Sequence, residues 1–241
     1  MKTRYYNLLE KTNNLLLRLK KNRIYNLDNS VIGIDLGCEN NVSQKYFGVD
    51  GSFLIWFTKN KYFPMFLKRI LFSKTCTANH LTFEEFIGKT NKVQVAHHNL
   101  LYGIPFKDNS TSNVFTSHFI EHLTKEQAIK LIVECRRVLN EGGILRIVVP
   151  DLDEEPNEIR GSLEQYGKSG DAEVLQKYLT VDANNRNFFS FHRRMYNFNE
   201  LKSVLEQAGF KKIARKERYK GKIQNVSNLD VRDGLIVEAI K

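Results

Sequence analysis

The sequence has no long apolar run and little cysteine. No stretch approaches the roughly 18 apolar residues that a membrane span needs, and no signal peptide is visible, so we expect a cytoplasmic protein. Three cysteines without CxxC spacing indicate reduced thiols rather than a disulfide framework. Internal repeats and low-complexity linkers are also missing. The 241 residues, 41% of them hydrophobic, predict one globular domain over residues 1–241.

Acidic residues are outnumbered by basic ones. The chain has 37 basic and 27 acidic residues, a net charge of +10. Such a charge would attract nucleic acid, anionic lipid or a phosphorylated substrate. Because the basic residues are spread along the chain, we expect a solvated surface rather than a nucleic-acid site. A phosphorylated or acidic partner stays open as the alternative.

Residues 2–24 have apolar positions at helical spacing and a basic flank. They predict an amphipathic helix within an amino-terminal extension of residues 1–27. Its apolar positions include Tyr6, Leu9, Leu16 and Leu19. We expect the helix to pack on its own domain, with contact to a membrane surface or a partner as the alternative.

Short apolar runs then alternate with helical patterns. Strands are predicted at residues 31–37, 46–50, 93–99, 112–118 and 144–150. A helix from residue 125, stopped by Gly142 and Gly143, precedes the last of these strands. The chain closes with a predicted helix at 197–210 and strands at 211–219 and 233–241. This alternation is typical of a parallel sheet covered on both faces.

Two stretches are too long for simple connections. Residues 53–91 contain an aromatic and basic segment, and residues 151–197 are mostly polar. Insertions of this length usually lie over the ligand end of an α/β sheet. We therefore predict lid or cap segments, and for residues 53–91 a membrane-facing element is the alternative.

Residues suited to ligand binding recur at successive strand ends, where open parallel sheets bind their ligands. A glycine lets the backbone turn tightly, an acid after the second strand can bind ribose hydroxyls, and an asparagine amide can bind adenine. Each is an ordinary turn residue by itself, but their ordered recurrence predicts a binding site. The positions are Asp35, Gly37, Cys38, Asp50, Asn99, Ser117 and His118.

Four segments resemble the class I S-adenosylmethionine-dependent methyltransferases: IDLGC, FGVD, HHNLLYGIPFKDNSTSNVFTSHFIEHL and ECRRVLNEGGILRIVVPDL. The resemblance is closest to the type 11 group, which includes many small-molecule and cell-surface-sugar methyltransferases. It covers residues 31–155 and continues more weakly through 192–210 and 229–241. It implies a Rossmann-like sheet of seven mostly parallel strands, with helices on both faces and the last strand antiparallel.

The same resemblance implies S-adenosylmethionine as cofactor and S-adenosylhomocysteine as product. It places Asp35, Gly37 and Cys38 around the methionine moiety, and Asp50, with Gly51 beside it, on the ribose. Asn99 and Leu100 are placed by the adenine, and Ser117 and His118 beneath the sulfonium.

The loop after the first strand departs from the family pattern. Glu39 replaces the second glycine of a GxG loop, and Asp35 and Asp50 are fifteen residues apart where about twenty is common. In a dinucleotide-binding loop, Glu39 would direct a negative charge at the pyrophosphate. S-adenosylmethionine has no phosphate and carries a positive sulfonium. The acidic loop therefore suits that cofactor better.

Methyl transfer to a hydroxyl requires alignment of donor and acceptor and removal of a proton. Histidine is the natural base near neutral pH. His118 ranks first, because the resemblance places it near the transferring methyl, and His122 and His192 are further candidates. For His122, a hydrogen-bonding pair with Glu121 at a helix start is the alternative.

Substrate binding is assigned to Arg193, Arg194 and Tyr196. Arginine pairs suit a phosphate or carboxylate on the substrate, although they can equally bridge the insertion to acidic residues. No Cys/His cluster has metal-ligand spacing, and the reaction needs no metal, so we expect none.

We expect O-methylation of a small polar or sugar acceptor, including phosphorylated or nucleotide-linked forms, in surface polysaccharide biosynthesis. The Asn/Asp-Pro-Pro-aromatic motif of amino-nucleobase methyltransferases is missing after the fourth strand, which argues against that chemistry. Two alternatives remain: an RNA methyltransferase, motivated by the net charge, and a non-catalytic scaffold, motivated by Glu39 and the short loop. The sequence leaves the oligomeric state open.

Overall fold

One seven-stranded sheet organises the computed structural model, which describes residues 2–39, 41–43, 45–75, 82–153, 168, 192–230 and 232–241. The strands are β1 Gly33–Leu36, β2 Tyr46–Asp50, β3 Gln94–His97, β4 Thr111–Ser117, β5 Leu139–Val149, β6 Lys211–Lys216 and β7 Leu235–Ile240. Their order in the sheet is β3-β2-β1-β4-β5-β7-β6. Strands β1 to β5 pair in parallel, whereas β7 runs antiparallel to both of its neighbours. The predicted Rossmann-like sheet is confirmed.

The strand order reverses between β1 and β4. From β1 the chain builds outward through β2 to β3, and it then returns to place β4 on the other side of β1. Crevices at such reversal points are where open α/β sheets bind their ligands. The carboxyl ends of β1, β2 and β4 all open on this edge. The topology therefore gathers the predicted site residues at one place.

Helices surround the sheet. They are α1 Lys2–Leu19, α2 Phe53–Lys59, α3 Met65–Thr75, α4 Phe83–Lys92, α5 Lys125–Val138 and α6 Phe198–Gln207. Capping boxes at Thr82 and Thr124 satisfy backbone N–H groups at the starts of α4 and α5. The apolar stripe of α5 enters the main core, as the helical spacing predicts. None of the helices in the described part of the chain has the length and apolarity needed to cross a bilayer.

A second, smaller apolar cluster lies around Tyr46, Phe115, Val148 and Ile236, where Ile223 and Leu229 pack on it. These two residues belong to the connection between β6 and β7. Arg146 on β5 anchors the same connection from beneath. Its guanidinium is fully buried and pairs with Asp230 at 2.5 Å and Glu238 at 2.7 Å.

The amino-terminal helix α1 packs on the domain, as predicted, through a face that includes the partly buried Leu9 and Leu16. Leu17 is buried, whereas Leu19, assigned to the apolar face, is 75% exposed. The reason is polar: Asn13 Nδ2 donates to the Gly51 carbonyl at 2.9 Å, and Lys20 Nζ contacts His97 Nδ1 at 3.1 Å. These hydrogen bonds set the rotation of the helix.

The glycines after α5 do not stop the helix, which ends at Val138. Strand β5 begins at once with Leu139, which pairs with Thr111, and it passes through Gly142 at a φ of +75°. The register shifts between the pairs Thr111–Leu139 and Asn113–Ile144, and this irregularity accommodates the extra residues of β5. The early start of β5 thus comes from pairing with β4, a long-range contact that local signals do not contain.

The structure describes most of the first predicted insertion, residues 53–91, but little of the second, residues 151–197. Residues 53–91 supply helices of the β2–β3 connection, with Phe57 and Phe86 buried and Phe66 exposed. Their lid role stays a prediction. Most of the 151–197 segment, and with it the predicted cap, lies outside the described residues, as does Cys76.

Candidate functional site

Acidic groups gather at the carboxyl ends of β1 and β2. Asp35 is 3% exposed, and its Oδ2 accepts a hydrogen bond from the Ser43 N–H at 2.9 Å. Asp50 is also buried. Its Oδ2 accepts from the Glu39 N–H at 2.9 Å, and its Oδ1 accepts from the Ser52 N–H at 2.7 Å. Backbone N–H groups thus fix both carboxylates.

Burial changes the protonation of these acids. It raises the pKa of Asp35 to about 7, with a smaller contribution from the charge of Asp50. Burial raises the pKa of Asp50 as well. A positive ligand beside the pair would stabilise their ionised forms. The electrostatics of this edge therefore favour a cation over a phosphate.

The loop after β1 is short and conformationally constrained. Gly37 has a φ of +67°, and a Cβ at this position would overlap the ring of Phe119. Glu39 has a φ of +47°, unusual for a residue other than glycine. Among the described residues between β1 and β2, none is helical. Gly37 permits the close approach of Phe119, which follows β4.

Gly51 and Asn99 sit at the next two strand ends. The Gly51 carbonyl accepts from Asn13, so α1 lies against this part of the edge. The Asn99 side chain accepts from the Leu101 N–H at 2.9 Å and caps a short 3₁₀ helix that begins with the buried Leu100. Asn99 therefore has a structural role in addition to the predicted adenine contact.

The end of β4 presents Ser117 and His118. The Ser117 hydroxyl is buried and has no hydrogen-bond partner among the described residues. His118 has a φ of +50°, and its N–H donates to the Val148 carbonyl at 2.9 Å. Its Nδ1 lies 3.4 Å from Glu121 Oε1, and its Nε2 lies 3.2 Å from the Asp233 carbonyl oxygen. Strained backbone at a polar strand end is a frequent mark of a functional residue.

His122 and His192 lie beside His118. The backbone N–H groups of Arg193 and Arg194 donate to the Glu121 carbonyl at 2.8 and 3.1 Å. These bonds dock the segment that begins at His192 on the turn Ile120–His122. The rings of His122 and His192 are 5.2 Å apart between centroids. Burial lowers the pKa of His192. The three histidines predicted as bases therefore form one cluster.

Glu121 is the functional candidate that sequence reasoning missed. It was considered only as a neighbour of His122, yet its side chain is 1% exposed and central to the histidine cluster. Neither carboxylate oxygen accepts a hydrogen bond from any described residue. A buried carboxylate without such bonds is expensive. Its place between Ile120 and His122 on a short turn offered no pattern that predicts burial of a carboxylate.

The three residues predicted to bind the substrate differ in their exposure to solvent and in their contacts. Arg193 is exposed. Arg194 pairs with Glu200 on α6 at 2.7 Å, as the alternative interpretation expected of these arginines. Tyr196 is buried, burial raises its pKa to about 12, and its hydroxyl has no hydrogen-bond partner within the described ranges. Of the three, Arg193 is best placed to meet a ligand from solvent.

The residues present fit the cofactor that the fold family implies. The acids at β1 and β2 match a ligand with a sulfonium and an ammonium group, and the buried Ser117 hydroxyl offers an unused polar atom at the end of β4. Phe119 joins the two halves, because its side chain packs on Gly37.

A family model described as a methyltransferase domain matches residues 71–147. The match includes β3, β4, α5 and most of β5, and it excludes the unusual β1–β2 loop. No curated protein matches the chain.

Several solved structures are similar in fold. One is a methyltransferase from Thermotoga maritima, described as a possible histamine N-methyltransferase; it is 16% identical, with 89% of this chain and 84% of that chain covered and a TM-score of 0.46. Another, from Archaeoglobus fulgidus, is 16% identical, with 97% and 94% covered and a TM-score of 0.45. Human N-acetylserotonin methyltransferase in complex with S-adenosylmethionine is 11% identical, with 87% and 47% covered and a TM-score of 0.44. Similarity at this level carries no inference about the acceptor.

The matched domain and the confirmed sheet agree with the resemblance seen in the sequence. The match to a methyltransferase domain over residues 71–147 supports the resemblance to the class I S-adenosylmethionine-dependent methyltransferases.

Proposed function

We propose that the protein methylates a hydroxyl oxygen of a small polar or sugar acceptor, with His118 as general base. The observation that carries this proposal is the pairing of His118 with the buried Glu121 carboxylate at the end of β4. A carboxylate that orients an imidazole and stabilises its charged form is the arrangement found in hydrolytic triads.

The cofactor would lie across the carboxyl ends of β1, β2 and β4 and supply a methyl group already activated by the sulfonium. Asp35 and Asp50 would face its positive and ribose portions, and Gly37 would keep the loop backbone close. Asn99 and Leu100 would border the adenine. Ser117 would offer its hydroxyl below the sulfur. Cys38, which is buried, would line the cofactor site beside the methionine moiety.

In the reaction, the acceptor oxygen forms the new O–CH₃ bond while the S–CH₃ bond breaks, and the bonding pair remains on sulfur. The hydroxyl proton passes to His118 Nε2. In the resting structure this atom lies 3.2 Å from the Asp233 carbonyl oxygen. The acceptor hydroxyl would replace that carbonyl, with the imidazole in the tautomer that carries its proton on Nδ1, toward Glu121, and leaves Nε2 free to accept. Glu121 would then balance the charge of the imidazolium through Nδ1.

The acceptor class rests on charge and on family resemblance. Arg193, at the mouth of the histidine cluster, would bind a phosphate or carboxylate of the acceptor, and the net charge of +10 favours an anionic compound. Sugar nucleotides combine a phosphate with several hydroxyls. We therefore propose a role in surface polysaccharide biosynthesis, in the cytoplasm, where such precursors are made.

His118→Gln tests the assignment of the base. A screen of sugar nucleotides with methyl-labelled S-adenosylmethionine would first identify an acceptor. The substitution should then lower kcat by about 10²- to 10⁴-fold while the Kd for S-adenosylhomocysteine stays the same. Unchanged turnover with normal cofactor binding would remove His118 as the base. Tight RNA binding that weakens steeply with salt would instead favour the RNA methyltransferase alternative.

One observation favours a non-catalytic scaffold as the second candidate function. Both oxygens of Asp50 already accept backbone hydrogen bonds, and Phe119 packs directly on Gly37. In a scaffold these contacts would fill the cofactor site permanently. Each carboxylate oxygen can accept more than one hydrogen bond, so ribose binding by Asp50 remains compatible with the geometry. A measurement of cofactor binding distinguishes the two candidate functions, because a methyltransferase binds the cofactor and such a scaffold does not.

A further inference from the structure

The histidine cluster contains a set of donors that suits a metal ion. Glu121, His122 and His192 each place one potential ligand atom within 4.8 Å of the others. Glu121 is buried and the two histidines are half-buried. Two imidazoles and one carboxylate form a common ligand set for zinc, iron and related divalent ions.

The Glu121 carboxylate, which accepts no hydrogen bond from the described residues, gives independent evidence for a ligand. Glu121 is 99% buried, and both of its oxygens lack hydrogen-bond donors among the described residues. His118 Nδ1 forms an ion pair with Oε1 at 3.4 Å, which leaves Oε2 without a polar partner in the described part of the structure. Placing a carboxylate in such a site without compensation costs several kcal/mol. A divalent cation would supply the missing partner.

The backbone holds the cluster together across a large sequence separation. Glu121 and His122 are adjacent on the turn after β4, and the turn's own carbonyl binds the N–H groups of Arg193 and Arg194. His192 is thus held beside the other two residues independently of any side-chain bond it makes. Such a preformed frame is what a metal site needs to bind with affinity.

We propose that Glu121, His122 and His192 bind one divalent transition-metal ion of the zinc type. The ligand atoms lie within 4.8 Å of one another, and side-chain rotation would bring them closer, to metal–ligand distances of about 2.0–2.2 Å. Three protein ligands leave at least one coordination position open. An oxygen of the acceptor would occupy it, next to His118. This catalytic role rests on the proposed function, whereas binding of the metal does not.

The test is metal binding by the whole protein. After treatment with a chelator, the protein is titrated calorimetrically with Zn²⁺ and spectroscopically with Co²⁺. We expect one ion per chain, and we expect Glu121→Gln and His192→Gln to weaken binding at least about 100-fold, since even loss of outer-shell partners costs 10- to 100-fold. Glu126→Gln, which changes an exposed acid on α5, serves as the control and should bind normally.

Thermal unfolding provides a second readout. Without metal, Glu121→Gln should melt at a higher temperature than the wild type, because it removes a buried charge. Zn²⁺ should then raise Tm for the wild type and for Glu126→Gln but not for Glu121→Gln. Absence of stoichiometric binding, or equal affinity in all variants, would overturn the proposal. Metal binding that is lost in the variants supports it whatever the outcome for methyl transfer.

Discussion

Replacement of Asp35 by Asn should make the stability of the cofactor-free protein less sensitive to pH. Burial raises the pKa of this carboxyl group from 3.8 to about 7. The folded state therefore binds more protons than the unfolded state between these values, and the wild type loses stability as pH rises through that window. Asn cannot ionise and can still accept the Ser43 N–H bond.

The size of the effect follows from the shift. One pKa unit corresponds to 1.36 kcal/mol, so a rise of about three units makes the stability gain of Asp35→Asn approach about 4 kcal/mol at pH 8. At pH 4 the ionisation of Asp35 should contribute little to the difference in the free energy of unfolding between the two proteins. Other titrating groups cancel in the comparison because both proteins share them.

Urea unfolding of both proteins from pH 4 to pH 8 measures this difference. Asp108→Asn, which changes a largely exposed acid paired with Arg137, provides the matched control and should change stability by less than about 1 kcal/mol. A difference between Asp35→Asn and wild type that stays constant with pH would refute the reasoning, because it would mean that Asp35 is not desolvated in the folded state.

Two further predictions concern the rest of the fold. Arg146→Met should lower the free energy of unfolding by about 3–5 kcal/mol, because it leaves two buried carboxylates unpaired; a loss below about 1 kcal/mol in urea unfolding would contradict the buried network. Burial lowers the pKa of His97 to about 3. Below about pH 6.5 the folded state therefore binds fewer protons than the unfolded state, and the free energy of unfolding decreases as the pH is lowered. Hydrogen exchange in α1 should therefore accelerate between pH 7 and pH 5 relative to the sheet, and His97→Ala should abolish that pH dependence; the same profile in both proteins would exclude His97 as the cause.

The sheet and the predicted cofactor edge could be inferred from the sequence. Continuous apolar strands bounded by turn residues give element positions directly, and strands that run in parallel bring their ends to one edge. Hence Asp35, Asp50 and Ser117, which are far apart in sequence, could be expected to share that edge. The periodic apolar positions of α5 were equally informative.

Other features depended on contacts that local patterns do not encode. The rotation of α1 is set by hydrogen bonds to His97 and Gly51, so Leu19, which the apolar pattern assigned to the packed face, is exposed. The candidate metal ligands were missed because spacing rules apply to ligands on one local segment. Here His192 is brought beside Glu121 by the backbone hydrogen bonds of Arg193 and Arg194, which join distant segments.

Calorimetric titration with S-adenosylhomocysteine tests the central claim, cofactor binding at the ends of β1 and β2, most directly. We predict micromolar binding by the wild type and by Asp108→Asn, and loss of binding by Asp50→Ala, with folding of each protein confirmed by circular dichroism. No binding by the folded wild type, or equal binding by Asp50→Ala, would contradict the account. In the first case, the contacts of Phe119 and Asp50 would mark a site that no longer accepts the cofactor.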